Sequence, residues 1–284
     1  MSFALLSKSM AGRASVSYKL REKVAVVTGG GGVICSAVSM ALAEMGAAVA
    51  VIDLREGAAR KVANSIKKRG GKSIHLRADV TSRESVEGAF KQVLKQLGSV
   101  DILINGAGGN LKEATVNEQR SFFEIPLEAV HSVLNLNFIG TFICCQVFGE
   151  AIAKKKSGSI VNISSMNAFR PLTGIAAYSA AKAAVTNFTQ WLAVHMAQRY
   201  SPKIRVNAVA PGFVLTDQNR FLLLDEKGEF TERGRRIVEH TPMGRLGKPE
   251  DIVGPVLWLV GDDSAFVTGA VIPADGGFSA FSGV

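Results

Sequence analysis

Cysteine is scarce here, and what there is has no metal-site spacing. The chain of 284 residues holds three, Cys35, Cys144 and Cys145. None sits at the intervals of a zinc site, so no metal is expected. Cys144 and Cys145 are adjacent in an apolar run and read as packing residues, and the set suits a reducing, cytoplasmic compartment. Long hydrophobic runs are also missing. No uninterrupted apolar stretch reaches the about 18–20 residues that cross a bilayer, which argues against a membrane partner. No linker-like composition and no solenoid-length repeat divides the chain. Acids are absent before Glu22, whereas Lys8, Arg13, Lys19 and Arg21 are present. Residues 1–22 therefore read as a flexible N-terminal extension rather than a transit peptide, and 23–284 as a single domain.

What is present is globular in character, with 47% hydrophobic and 20% charged residues. The formal charge is +9. Its cations are scattered, and the densest run, Lys154-Lys155-Lys156, follows an apolar stretch where a helix dipole favours them. Small anions rather than nucleic acid are the expected partners.

Short β-branched runs alternate with helical periodicity along almost the whole chain. Strands are expected at Lys23–Thr28, Ala48–Asp53, Lys72–Ala78, Val100–Asn105, Ser159–Ser164, Ile204–Ala210 and Ala270–Pro273. Helices are expected between them, including one unbroken helix over Leu127–Lys154 and another over Tyr178–Tyr200. That alternation predicts an α/β fold, a doubly wound, Rossmann-type parallel sheet covered on both faces. Segments 109–126 and 213–249 fit the rhythm poorly. Long irregular connections in such a domain usually carry function, and 213–249 is the expected substrate loop.

The first strand ends in Gly29-Gly30-Gly31-Gly32. Glycines between a strand and a helix let backbone N–H groups approach a pyrophosphate at the helix N-terminus. Alone such a turn has many structural explanations. Asp53 strengthens it by closing the second strand, where an acid binds the adenosine ribose hydroxyls of NAD and repels the extra phosphate of NADP. Arg55 partly offsets that repulsion, so NAD is expected, with NADP as the lesser cofactor.

Tyr178-Ser-Ala-Ala-Lys182 sets a phenol and an ammonium at i and i+4 on one helix face. An unperturbed phenol, with a pKa of about 10, is a poor acid–base group near neutrality. A neighbouring cation is expected to lower it. Ser165 closes the preceding strand, where its hydroxyl could bond a substrate oxygen.

Taken in order, these pieces resemble the short-chain dehydrogenase/reductase family over nearly all of the chain after residue 22. They are Thr28-Gly29 with the glycines, Asp79-Val80, Asn105-Gly106-Ala107-Gly108, Asn137, Ser165, Tyr178 with Lys182, and Pro211-Gly212 followed by Thr216. The resemblance implies a nicotinamide-dependent oxidoreductase acting on a CH–OH group. Tyr178 would exchange a proton with the substrate oxygen, and Ser165 would orient that oxygen. Lys182 would hold the nicotinamide ribose, and Asn137 a water that links it to solvent. Asp79 and Val80 would flank the adenine and residues 105–108 the adenosine side. Thr28, Val33, Ile34 and the glycines would line the pyrophosphate, with Pro211, Gly212 and Thr216 at the nicotinamide end. The family usually forms tetramers through helices that here span about 127–154 and 176–200.

The chain departs from the family pattern at one place. Val33 and Cys35 stand where the last two glycines of the turn belong. Val33 cannot take a positive φ cheaply, so the loop geometry is the open point. The same stretch, with Ser165–Pro171, Thr216–Phe221 and His240–Arg245, resembles a subgroup of D-mannonate oxidoreductases (fructuronate reductases). A sugar-acid substrate needs cations and amides around it. Asn110, Asn167, Arg170, Gln218, Asn219 and Arg220 are the candidates, with Arg170 or Arg220 expected on the carboxylate. Other short-chain reductases, for 3-oxoacyl groups, sugars or polyols, remain alternatives, as does a catalytically silent cofactor-binding regulator.

Overall fold

The β-branched runs become the strands of one sheet in a computed structural model that describes residues 20–216 and 219–283. The strands are β1 (Val24–Thr28), β2 (Ala48–Asp53), β3 (Ser73–Arg77), β4 (Ile102–Asn105), β5 (Gly158–Ile163), β6 (Ile204–Pro211) and β7 (Val271–Ala274). Their order is β3-β2-β1-β4-β5-β6-β7, and every pairing is parallel. Ala25 and Val27 of β1 enter one hydrophobic cluster, and Val24 and Val26 enter the other. Both faces of the strand are apolar because both are covered, as the continuous apolar runs predict.

The first face is covered by α1 (Val33–Glu44), α2 (Glu56–Lys68) and the late helix Pro249–Val260. The second is covered by α3 (Arg83–Leu97) and by the helices following β4 and β5. The chain builds outward from β1 to β3, then returns to the other side of β1 with β4. That reversal opens a crevice at the carboxyl ends of β1 and β4, where α/β sheets bind ligands.

The expected helix 127–154 is not uniform. It runs as α4 (Leu127–Leu134), a π-helical turn (Asn135–Ile139) and α5 (Gly140–Lys155). Inside the turn, Asn137 Nδ2 donates to the Val133 carbonyl at 2.8 Å. A side chain inserted into the backbone ladder is a recognised cause of such a bulge.

By length and composition the stretch Leu127–Lys155 could cross a membrane, which corrects the reading that none could. Here 56% of its apolar window is buried, against α3, α6 (Ala176–Arg199) and the strands. That is how the core helix of a globular domain behaves.

Segment 213–249 is also more regular than expected, with α7 (Arg220–Leu223) and α8 (Glu232–Glu239); α9 is Pro249–Val260. Segment 109–126 holds two 3-10 turns, Lys112–Ala114 and Phe122–Glu124. Residues 1–19 of the expected extension lie outside the described residues. Leu20 is already buried in the core, and its N–H donates to the Met45 carbonyl at 2.9 Å.

Candidate active site

A cleft of about 920 Å³ opens at the carboxyl ends of β1, β2 and β4. Gly29, Gly31, Gly32, Gly106 and Gly108 are among the residues that line it. Gly29 has φ +61°, and a Cβ there would lie 2.8 Å from the Ala107 backbone. A Cβ on Gly31 would come within 2.6 Å of Ala58 and 3.0 Å of the Asp53 carboxylate. The N-terminus of α1 has no side-chain cap, so its first N–H groups are available to an anion. Asp53 is buried at the end of β2. Its Oδ2 accepts from Gly31 N (3.0 Å) and its Oδ1 from Arg55 N (2.9 Å), with Arg55 Nε 3.6 Å away.

Asp79, Val80, Gly106, Ala107, Gly108, Val33, Ile34 and Thr216 also line the cleft, as do Gly29, Gly31, Gly32 and Asp53. Other expected contacts lie elsewhere. Gly30 packs on Val51, and its N–H donates to the Ile52 carbonyl. Thr28 Oγ1 accepts from Gly106 N (3.2 Å) and Ala107 N (3.3 Å), which ties the ends of β1 and β4 together. The Asn105 side chain is buried, and its Nδ2 donates to Asn162 Oδ1 at 2.8 Å. Pro211 is buried in β6, and Gly212 borders a smaller cavity of about 400 Å³.

At the far end of β5, four polar residues converge. Ser165 caps the short turn Met166–Ala168, and its Oγ accepts from Asn167 N at 3.3 Å. Its side chain also acts on the Tyr178 phenol, favouring the phenolate. Lys182, one turn along α6, donates to the Ile163 carbonyl at 2.8 Å and lies 5.6 Å from the centre of the Tyr178 ring. Asn137 Oδ1 accepts from Gly109 N (3.1 Å), and its Nδ2 donates to Gly109 O (2.7 Å). A Cβ on Gly108 would lie 2.6 Å from Asn137 Oδ1 and 3.2 Å from Lys182 Nζ, so the absent side chain keeps these groups together.

Burial dominates the electrostatics. It depresses Lys182 to about 8 and pushes the Tyr178 phenol above its ordinary value, which the Ser165 side chain only partly offsets. The expected lowering of the Tyr178 pKa by Lys182 is therefore not found: burial raises it. The ammonium faces the Ile163 carbonyl and the ring, and desolvation of the phenolate outweighs its field.

Comparison with known proteins agrees with this geometry. The family profile described as enoyl-(acyl carrier protein) reductase matches residues 32–279. The chain is 46% identical over 274 residues to an uncharacterized oxidoreductase, UxuB, of Bacillus subtilis, covering 93% of this chain and 98% of the relative. It belongs to the short-chain dehydrogenase/reductase family. A provisionally named D-mannonate oxidoreductase from Haemophilus influenza, solved with bound NAD, is 44% identical and superposes with a TM-score of 0.89, over 95% of this chain and 100% of that one. A provisionally named NAD(P)-dependent gluconate 5-dehydrogenase from Beutenbergia cavernae, with bound NADP at low occupancy, is 32% identical with a TM-score of 0.82, over 93% and 100%.

As a short-chain dehydrogenase/reductase the chain is an NAD(P)-dependent oxidoreductase acting on CH–OH groups. The cleft fits such a dinucleotide: glycines at which a Cβ would strike the wall, an uncapped helix N-terminus, and the buried carboxylate of Asp53.

The departure at Val33 and Cys35 resolves in an unforeseen way. Within the turn only Gly29 takes a positive φ, and Val33 is the first residue of α1. Cys35 faces Gly106, where a Cβ would fall 2.0 Å from its Sγ. The glycine missing from the helix is thus matched by one on the facing loop. Burial pushes the Cys35 thiol up to about 12, which leaves it unreactive.

The substrate candidates separate. Asn167 is buried beside Ser165, and its Oδ1 has no hydrogen-bond partner. Asn110 Nδ2 donates to Thr115 Oγ1 at 2.9 Å at the surface. Asn219 closes its own loop, accepting from Thr216 N (2.8 Å) and donating to the Val214 carbonyl (2.8 Å). Arg220 is exposed one turn beyond Thr216. Arg170 Nε donates to the Ser279 carbonyl at 3.0 Å. Gln218 lies outside the described residues. Sequence reasoning passed over Leu136 and Ile163, which line the cleft. Their places, beside Asn137 and at the end of β5, were the available signal.

Proposed function

We propose that the protein is an NAD(H)-dependent oxidoreductase that interconverts the alcohol and ketone of a sugar acid, D-mannonate and D-fructuronate. One observation carries the reading: Ser165, Tyr178 and Lys182 meet beside Ile163 and Gly108, which line the same cleft as Asp53. The dinucleotide supplies the hydride acceptor or donor at nicotinamide C4. Tyr178 Oη takes the proton of the substrate hydroxyl in oxidation and returns it in reduction. Ser165 Oγ is held by the Asn167 N–H and aligns the reacting oxygen. With its pKa at about 8, Lys182 is mostly charged at neutral pH; it would favour the phenolate and hold the nicotinamide ribose. Asn137 fixes Gly109 and the wall beside Lys182, and would hold a water that carries protons to solvent. Asp53 would take the adenosine ribose hydroxyls and select NAD, and Arg55, 3.6 Å from it, would leave room for weaker use of NADP. Asp79, Val80 and Thr216 line the cleft, where the first two would flank the adenine and Thr216 would meet the nicotinamide end.

The sugar-acid assignment draws on the solved relative named for D-mannonate and on the polar loops around Ser165. Arg220 is the better partner for the carboxylate, since the Arg170 Nε already bonds the tail. A second copy of the chain is the expected partner, in a tetramer. The exposed apolar side chains of Leu127 on α4 and of Trp191 and Val194 on α6 support association.

A kinetic panel of hexonates, uronates, 3-oxoacyl thioesters and neutral polyols, each with NAD and NADP, tests the assignment. Mannonate oxidation with NAD should give the highest kcat/KM. Preference for an acyl thioester with NADP would move the protein to the 3-oxoacyl reductases, which are also among its relatives at 33% identity. Turnover that survives Tyr178→Phe would sink the proton-transfer role.

A further inference from the structure

The C-terminal tail lies over the substrate side and is stitched to it at several points. Asp275 Oδ1 accepts from Gly277 N and its Oδ2 from Ser279 N, both at 2.9 Å, which shapes the tail into a turn. Phe278 is buried in a small cluster with Met166, Leu223 and Ile237. That cluster joins the residue after Ser165 to α7 and α8 of the substrate loop. Phe278 also packs edge-on against Phe213 (5.3 Å) and His240 (4.8 Å).

Arg170 completes this arrangement from the catalytic side. It sits at the end of the turn that Ser165 caps. Its N–H and that of Phe169 both donate to the Met166 carbonyl, at 3.0 and 2.9 Å. Its guanidinium reaches across 109 residues to donate from Nε to the Ser279 carbonyl at 3.0 Å. Ser165 therefore sits on a turn fastened at both ends: by Met166 into the cluster that contains Phe278, and by Arg170 onto the carbonyl next to Phe278.

We propose that Arg170 is a positioning residue, which clasps the C-terminal tail at Ser279 to hold the Ser165 turn at the reacting oxygen, and that it does not bind the substrate carboxylate. The proposal rests on the oxidoreductase reading of Ser165 given above. A clasp and a carboxylate ligand differ in what they change. A clasp alters where Ser165 sits, and so the rate of the chemical step, since small misplacements cost roughly ten- to hundred-fold in turnover. A carboxylate ligand alters substrate affinity.

The experiment measures kcat and KM for the acid substrate in wild type, Arg170→Ala, a chain stopped before Ser279, and the double variant. Melting temperature and NAD binding by fluorescence titration serve as folding controls. Arg170→Ala should lower kcat about ten-fold or more with KM little changed. The truncated chain should show the same loss, and the double variant little more than either single one. A rise in KM with kcat retained, or additive losses in the double variant, overturns the proposal. Carboxypeptidase digestion gives a readout independent of turnover: Arg170→Ala should release the last residues faster than wild type, and an equal rate overturns the clasp. Absence of wild-type turnover on every substrate would instead count against the proposed function, leaving the digestion to decide the clasp alone.

Discussion

At the dinucleotide end the site is made of backbone: a glycine turn, the uncapped start of α1, and strand ends set by the sheet register. Around Ser165, the proposed substrate end, it is made of side chains from distant segments: the turn after Ser165, the 213–249 loop and the C-terminal tail share the small cluster of Met166, Leu223, Ile237 and Phe278. Few residues can replace a glycine whose Cβ would strike backbone, so backbone-made sites leave a narrow signature. Many polar residues can bond a hydroxyl or a carboxylate, so the substrate end leaves a broad one.

Four measurements break or sharpen that contrast. The largest effect belongs to Tyr178→Phe, which should lower kcat by about a thousand-fold or more while NAD still binds, read by steady-state kinetics beside fluorescence titration. A comparable loss of NAD affinity would mean that the two ends are not separable.

Lys182→Met should abolish most activity yet stabilise the ligand-free protein near pH 7. The folded pKa of Lys182, about 8, lies below the ordinary lysine value of 10.5. Below pH 8 the group is charged in both states and its burial opposes folding, by at most about 3 kcal/mol. As pH rises from 8 towards 10.5 the unfolded chain holds more protons than the folded one, and the penalty fades. The melting-temperature gain of the variant should shrink over that window; a gain that grows with pH would contradict the burial argument.

Gly106→Ala should cost about 1–3 kcal/mol of stability, because its Cβ would overlap the Cys35 sulfur. Adding Cys35→Ala should recover much of that loss in thermal melts. If it does not, the contact with the Thr28 carbonyl, 3.0 Å from the same Cβ, is the stronger constraint. The smallest effect is expected for Arg220→Ala: a rise of about ten-fold in KM for the sugar acid at unchanged kcat, with no change for a neutral polyol. Equal losses on both substrates would remove Arg220 from the carboxylate.

Legibility followed the same divide. The order of alternating strands and helices was readable because both faces of a parallel sheet are apolar. The helix 127–154 was readable from its apolar run but its π-turn was not, because the bond from the Asn137 side chain to the Val133 carbonyl inside it is not something apolar periodicity registers. The Val33 and Cys35 departure left the loop geometry open because sequence alone pairs each glycine with its own turn. The structure pairs Cys35 with Gly106, which lies 71 positions further along the chain. Arg170 and Arg220 read alike as bare arginines, and only a long-range contact tells them apart.

By itself the sequence determined the sheet, the glycine turn facing Asp53 and the residue types that meet around Ser165, since these rest on local periodicity and on residues without substitutes. Tertiary structure alone decided which way the Tyr178 pKa moves, which loop accommodates Cys35, and which arginine is tied to the tail. Each of those depends on desolvation or on contact between segments far apart in the chain, and neither quantity exists until the chain has folded.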